Sequence, residues 1–112
     1  MIEDLSLNAY ADEIWEITEQ KGFHGLNRSI AEDIALMHSE LSEALEEVRN
    51  GKGAFYVENG KPEGVATEMI DCVIRILDSL NTHYPELDID DVMRTKINYN
   101  AGRPQLHGGK AL

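Results

Sequence analysis

Residues 29–50 read Ser29-Ile30-Ala31-Glu32-Asp33-Ile34-Ala35-Leu36-Met37-His38-Ser39-Glu40-Leu41-Ser42-Glu43-Ala44-Leu45-Glu46-Glu47-Val48-Arg49-Asn50. Ile30, Ile34, Met37, Leu41, Leu45 and Val48 recur at the spacing of one helix face. Ser29-Ile30-Ala31-Glu32 has the form of a capping box, in which the serine and glutamate satisfy amides that a first turn leaves without partners. Asn50-Gly51 supplies residues that tolerate a left-handed terminus. A helix is therefore expected over about 30–50.

The flanking sequence repeats the pattern. Leu7, Ala11, Ile14 and Trp15 share a face of a segment over about 6–21, which Gly22 stops. Val65, Met69, Cys72, Val73, Ile76 and Leu80 mark a third helix, expected to begin near Pro62 and to end before Pro85. Asp88, Asp90 and Asp91 suit the positive end of a fourth helix running to about 100. Residues 51–64 hold four of the nine glycines plus Pro62 and read as a loop. No strand pattern stands out, and residues 101–112 read as an irregular Gly/Pro-rich tail. The expected fold is all-α, a single four-helix, bundle-like domain over 1–112.

Composition narrows the function. A formal charge of −11 argues against a nucleic-acid polymer as partner, which would call for a basic stripe. The same charge repels a phosphate ligand unless a divalent cation reverses the local sign. The lone Cys72 excludes an intrachain disulfide framework and, among apolar neighbours, reads as a small core residue. Met1-Ile2-Glu3-Asp4 is acidic and lacks the apolar centre of a signal peptide, and no apolar run nears the roughly 20 residues of a membrane span. The expectation is a soluble cytoplasmic protein with no membrane partner.

Acidic residues are arranged with the helical period. Glu40 and Glu43, and again Glu68 and Asp71, are three apart, which sets each pair side by side on a helix. At about 100° per residue, Glu40, Glu43 and Glu47 cluster roughly 110° from the centre of their apolar stripe. Glu68, Asp71 and Asp78 have nearly the same offset from theirs. If the two stripes pack together, the acids converge along one margin, with Arg75 the lone cation among them. Converging like charges cost energy unless a cation or proton compensates. An all-carboxylate donor set suits Mg²⁺, with Mn²⁺ possible. A di-iron bundle would need Glu-x-x-His, and no histidine here has a glutamate three positions before it.

These motifs, in this order, resemble the MazG-like members of the all-α nucleoside triphosphate pyrophosphohydrolase superfamily. The pattern there is ExxE, a spacer, then ExxD, matched here by Glu40-x-x-Glu43 and Glu68-x-x-Asp71 with 24 residues between. The flanks are similar too: His38-Ser39-Glu40-Leu41-Ser42-Glu43-Ala44-Leu45, then Asp71-Cys72-Val73-Ile74-Arg75-Ile76-Leu77-Asp78. Lys96-Ile97-Asn98-Tyr99-Asn100-Ala101-Gly102-Arg103-Pro104, followed by His107-Gly108-Gly109-Lys110, looks like the tail of small MazG-like proteins. Trp15 and Lys21-Gly22-Phe23 resemble the first helix and its exit. One departure is Gly64-Val65-Ala66-Thr67, where relatives often carry further acids, and it leaves the number of metal ions open.

The resemblance implies Mg²⁺-dependent hydrolysis of a (deoxy)nucleoside triphosphate to the monophosphate and pyrophosphate. It implies that Glu40, Glu43, Glu68 and Asp71 hold metal, with a glutamate of the first pair, Glu40 or Glu43, as general base. Lys96, Asn100 and Arg103, with Lys110 beyond them, are the candidates for gripping phosphates, and Trp15, His24, Phe55, Tyr56 and Tyr99 for stacking on a base. A narrower enzyme of the same class, acting on dCTP, dUTP or phosphoribosyl-ATP, fits the pattern as well. So does a catalytically silent helical homo-oligomer that binds a partner or nucleotide. Apolar residues outside the main stripes, including Ile34, Leu45, Ile70 and Leu77, call for cover from further sides. A homodimer or homotetramer is expected, as in the family.

Overall fold

The computed structural model describes residues 6–104. Four helices dominate: α1 (Leu7–Gln20), α2 (Ile30–Arg49), α3 (Val65–His83) and α4 (Ile89–Ala101). The turns at the start of α1 and α2 and at their exits have local causes. Ser6 Oγ accepts from Ala9 N at the start of α1, and Gly22, at φ +81°, turns the chain out of it. The capping box of α2 is formed in both directions, Glu32 N to Ser29 Oγ at 3.1 Å and Ser29 N to Glu32 Oε1 at 2.9 Å. Gly51, at φ +69°, follows its last turn. A short 3₁₀ turn, Phe23–Leu26, lies between α1 and α2.

The expectation of an all-loop connection over 51–64, without strands, is overturned. Strands β1 (Tyr56–Glu58) and β2 (Lys61–Glu63) form an antiparallel hairpin in the register Tyr56↔Glu63, Val57↔Pro62 and Glu58↔Lys61. Its two-residue turn, Asn59-Gly60, has both residues at positive φ, +53° and +78°. Asn-Gly is the dipeptide that this turn favours, because its twist matches that of the strands it joins. Pro62 thus lies in β2, not in a first helical turn. It is tolerated because both strands of a two-stranded sheet are edges that need no further donor.

The third helix starts instead at Val65, immediately after Gly64. Its first amides are capped by the preceding loop: Val65 N donates to Gly53 O at 3.1 Å and Ala66 N to Ala54 O at 2.8 Å. The loop passes so close that a Cβ on Gly64 would lie 2.6 Å from Ala54 O. Gly64 itself is buried, at φ +114°.

The centre of the molecule is α3, with α1 on one side and α2 on the other. Bonds of Asp33 to Ser79 and His83, of Met37 O to Cys72, and of Glu40 to Arg75 show that α2 and α3 run antiparallel. Ala11, Leu77 and Ile89 are buried together, with Leu7, Ile14 and Leu80 packed against them. Ala44 and Cys72 are the further buried apolar residues, and Cys72 has the core placement expected of it.

Helix α4 is fastened at one end. Asp90 accepts from Leu7 N at 2.8 Å and Asn8 N at 3.3 Å, while Asn8 Oδ1 accepts from Ile89 N at 2.8 Å. The starts of α1 and α4 thereby cap one another, each offering acceptors to amides that its partner helix leaves unpaired. Beyond that clasp Val92, Met93 and Ile97 stand exposed. The radius of gyration is 16.3 Å, against about 13 Å for a compact domain of this length. No helix among the described residues is long and apolar enough to cross a membrane.

Candidate functional site

Antiparallel packing of α2 on α3 brings the two acidic pairs together. Glu40, Glu68 and Asp71 each offer an oxygen, and the three oxygens lie within 4.8 Å of one another. All three residues are half-buried. Glu43, one turn along α2 from Glu40 and exposed, lies outside the trio but close enough to Glu68 to share a proton with it. Burial, then the charges of Asp71 and Glu43, the Glu43 hydrogen bond and the charge of Glu40 push the Glu68 carboxyl above its ordinary range. Asp71 is also raised, by burial and by Glu40, although Arg75 and Lys61 pull the other way. Each carboxylate thus favours a bound proton or another cation.

Two positive groups border the cluster. Arg75 Nε donates to Glu40 Oε1 at 2.7 Å. Lys61, on β2, acts on Asp71 through its charge and lies 3.5 Å from Glu63. The hairpin that the sequence reading missed therefore brings a cation toward the acids. The Asn59-Gly60 turn signal was the means of finding it.

Asp78 does not join the trio, although it shares the stripe. It belongs to a network farther along α3: Thr18 Oγ1 donates to Asp78 Oδ1 at 2.7 Å, and His24 Nε2 is 3.1 Å from both Asp78 oxygens. The other ring nitrogen, Nδ1, is 3.0 Å from Glu19 Oε1. Both nitrogens face carboxylates, an arrangement that the doubly protonated imidazolium satisfies with two donors. Burial alone would lower the His24 pKa, but the hydrogen bonds and charges of Asp78 and Glu19 outweigh it and hold the pKa above its ordinary value. Trp15 stacks on His24 with centroids 4.8 Å apart and planes at 27°, and its Nε1 donates to Thr82 Oγ1 at 3.1 Å. Trp15 and His24 are thus brought together, half-buried, two to three helical turns along α3 from Asp71.

A second network was not foreseen. Asp33 accepts from Arg28 Nε at 2.9 Å, from Ser79 Oγ at 3.1 Å, and pairs with His83 Nε2 at 2.8 Å. Burial would raise the Asp33 pKa, but the bonds from Arg28, His83 and Ser79 hold it below the usual carboxylate range. Sequence gave no warning, because these four residues come from the loop before α2, from α2 itself and from the end of α3.

The two networks share a cleft of about 230 Å³, which Asp33, Asp78, His24 and His83 help to line. A larger cavity, of about 400 Å³, continues from it to the acidic cluster and has Glu40 and Asp71 on its wall. Lys96, Asn100 and Arg103 are not on that wall. They lie on or just beyond α4, where Lys96 Nζ and Arg103 Cζ are 5.1 and 5.5 Å from the centre of the Tyr99 ring. Within one protomer the expected phosphate grip is not assembled beside the carboxylates. Lys110 and His107 fall outside the described residues.

No family model, no curated protein and no solved structure matches the chain.

Proposed function

We propose that the protein is a Mg²⁺-dependent nucleoside triphosphate pyrophosphohydrolase of the MazG-like kind, cleaving a (deoxy)nucleoside triphosphate to the monophosphate and pyrophosphate. The observation that carries this reading is the convergence of Glu40, Glu68 and Asp71 from two helices to within 4.8 Å, beside a cavity of about 400 Å³. Three hard oxygen donors fit Mg²⁺ or Mn²⁺ and suit neither zinc nor copper. The raised pKa values of Glu68 and Asp71 support the same donor set, since the fold holds these acids together against their repulsion. When bound, the metal supplies neutralisation of the phosphate chain and a polarised water.

The residues have separable tasks in this reading. Glu40, Glu68 and Asp71 hold the metal. Arg75, through its bond to Glu40, fixes the orientation of that ligand. Glu43, exposed and beside Glu68 at the edge of the cluster, is the residue to which this reading gives the proton of an attacking water. The half-buried Trp15–His24 stack forms a flat surface for a base.

The protomer self-associates as a homodimer or homotetramer in this proposal, and acts in the cytoplasm. Val92, Met93 and Ile97 on α4, with Leu41 and Leu45 on α2 and Ile70 and Val73 on α3, leave too much apolar surface exposed for a stable monomer. In such an assembly Lys96, Asn100 and Arg103 face the carboxylates of a partner protomer and grip phosphates there. Light scattering of the wild type and Ile97→Asp tests this part: the variant is expected to shift to a smaller species, and a wild-type monomer at micromolar concentration would refute it.

The test of activity is pyrophosphate release from a panel of ribo- and deoxyribonucleoside triphosphates, with Mg²⁺ and with EDTA, for wild type and Glu43→Gln. Metal-dependent release that the variant loses is the expected result. Absence of release from every substrate, by folded protein, would favour a silent nucleotide- or partner-binding module.

A further inference from the structure

We propose that Arg28 and Arg75 form a two-armed clamp for the phosphate chain, placed in the same protomer as the carboxylates. This rests on the pyrophosphohydrolase reading and adds to it residues outside the acidic motifs and outside the α4 tail.

Both arginines line the cavity that carries Glu40 and Asp71. They also border a small adjoining void with Asp33, Asp78 and Ser79, so the two arginines adjoin a common gap. Each is tethered by one atom only. Arg28 donates through Nε to Asp33 Oδ1 at 2.9 Å, and Arg75 through Nε to Glu40 Oε1 at 2.7 Å. No hydrogen bond from their terminal nitrogens is formed among the described residues. A guanidinium has five N–H donors in a planar fork, so each arm keeps four for a ligand. Phosphate oxygens match that fork better than any neutral ligand.

The tethers also hold the arms in place. Asp33 is itself fixed by Ser79, which is 2% exposed, and by His83. Arg28 therefore projects from a loop yet is anchored to two helices, which lowers the ordering cost of binding. On α3, Glu68, Asp71 and Arg75 succeed one another at intervals of three and four residues along one face. Arg75 lies one turn, about 6 Å along the helix axis, from Asp71.

Charge couples phosphate binding to the metal. The cavity wall carries two guanidiniums against the carboxylates of Glu40, Asp71 and Asp78. With Glu68, the third metal donor, and Asp33, bonded to Arg28, the two guanidiniums face five carboxylates, an excess that repels phosphate and that a divalent cation on Glu40, Glu68 and Asp71 largely offsets. The clamp thus binds phosphate more tightly once the metal has entered.

The experiment measures binding of inorganic pyrophosphate and of an uncleavable α,β-imido nucleoside triphosphate to the full chain by calorimetry, with Mn²⁺ and with EDTA. Proteins compared are wild type, Arg28→Gln, Arg28→Lys and Arg75→Gln, with Mn²⁺ affinity read separately by electron paramagnetic resonance and folding by thermal unfolding. Arg28→Gln is expected to weaken both phosphate probes by about ten- to a hundredfold, the loss of charge-assisted bonds, while Mn²⁺ affinity stays within twofold. Arg28→Lys should recover only part of the loss, because the fork is gone. Folded Arg28→Gln and Arg75→Gln proteins that bind both probes within twofold of wild type would overturn the clamp. The same holds for probe binding by wild type that is as tight in EDTA as in Mn²⁺. Tight, Arg28-dependent binding of pyrophosphate without hydrolysis of any nucleotide would uphold the clamp while removing the enzyme reading.

Discussion

Replacing Gly64 by alanine tests the feature that sets the position of α3 and with it Glu68 and Asp71. Gly64 has φ +114° and ψ 174°, a region that is almost reserved for glycine, and occupying it with a side chain costs about 1–3 kcal/mol. The added Cβ would also meet Ala54 O at 2.6 Å and Gly53 O at 2.8 Å. Those atoms are backbone, and the same two carbonyls accept from Ala66 N and Val65 N. Relief of the clash must therefore pull the loop away from the first turn of α3, at about 1–3 kcal/mol more. Together these reach about 2–6 kcal/mol, a large part of the 5–15 kcal/mol typical of a domain. At about 4–8 °C per kcal/mol, the midpoint of thermal unfolding should fall by about 8 °C or more. The control is Gly53→Ala, where nothing lies within 4 Å of the new Cβ and φ is not positive; a change of less than about 1 kcal/mol is expected there. Urea unfolding of both variants at one protein concentration reads the difference. A Gly64→Ala protein within about 0.5 kcal/mol of wild type would refute the reasoning, since neither strain nor the carbonyl contact would then be present.

Other perturbations address the charged networks. The raised His24 pKa makes its contribution to stability complete below the ordinary value near 6.5 and lost as pH rises through the higher folded value; NMR titration should place it above 6.5 in wild type and lower in Asp78→Asn. Glu68 and Asp71 bind protons more tightly when folded, so in EDTA their contribution to stability falls as pH rises from about 4 through their raised values. Mg²⁺ at about a hundred times its dissociation constant should add about 2.7 kcal/mol at neutral pH, and Glu40→Gln should remove most of that gain in a melting experiment. Asp33→Ala leaves Arg28, Ser79 and His83 without their shared acceptor and should cost about 2–4 kcal/mol in urea unfolding, reduced from a fully buried case by the 15% exposure of Asp33. A loss below about 0.5 kcal/mol would show that the network contributes nothing beyond solvent.

Much of this organisation was legible in the sequence. The starts of α2 and α4 followed from capping chemistry, which is local: Ser29 and Glu32 bond across three residues, and Asp88 accepts from Asp91 N at 3.1 Å, whereas the start of α3 is set by carbonyls of the preceding loop. The angular offsets of Glu40, Glu68 and Asp71 were legible because a helix fixes direction at about 100° per residue. The hairpin was also legible in principle, in Asn59-Gly60, but glycine content over 51–64 drew attention to a loop instead. The α4 residues illustrate the opposite difficulty. Lys96, Asn100 and Arg103 are spaced so as to lie near one another, yet no spacing along the chain states which other helix they face.

The sequence by itself determined the presence of four helices, the acidic character of one margin of α2 and α3, and the core placement of Ala11 and Cys72. Those properties depend on contacts within a few residues or on the composition of a helix face. Only the tertiary structure decided that Glu43 lies at the edge of a trio, that Asp78 binds His24 rather than joining the acids, and that Arg28 reaches the wall beside Arg75. The physical reason is that each of these depends on the register between helices distant in sequence. That register is set by side-chain packing and by bonds such as Asp33 to Ser79 and His83, which span 46 and 50 residues and leave no periodic trace in the chain.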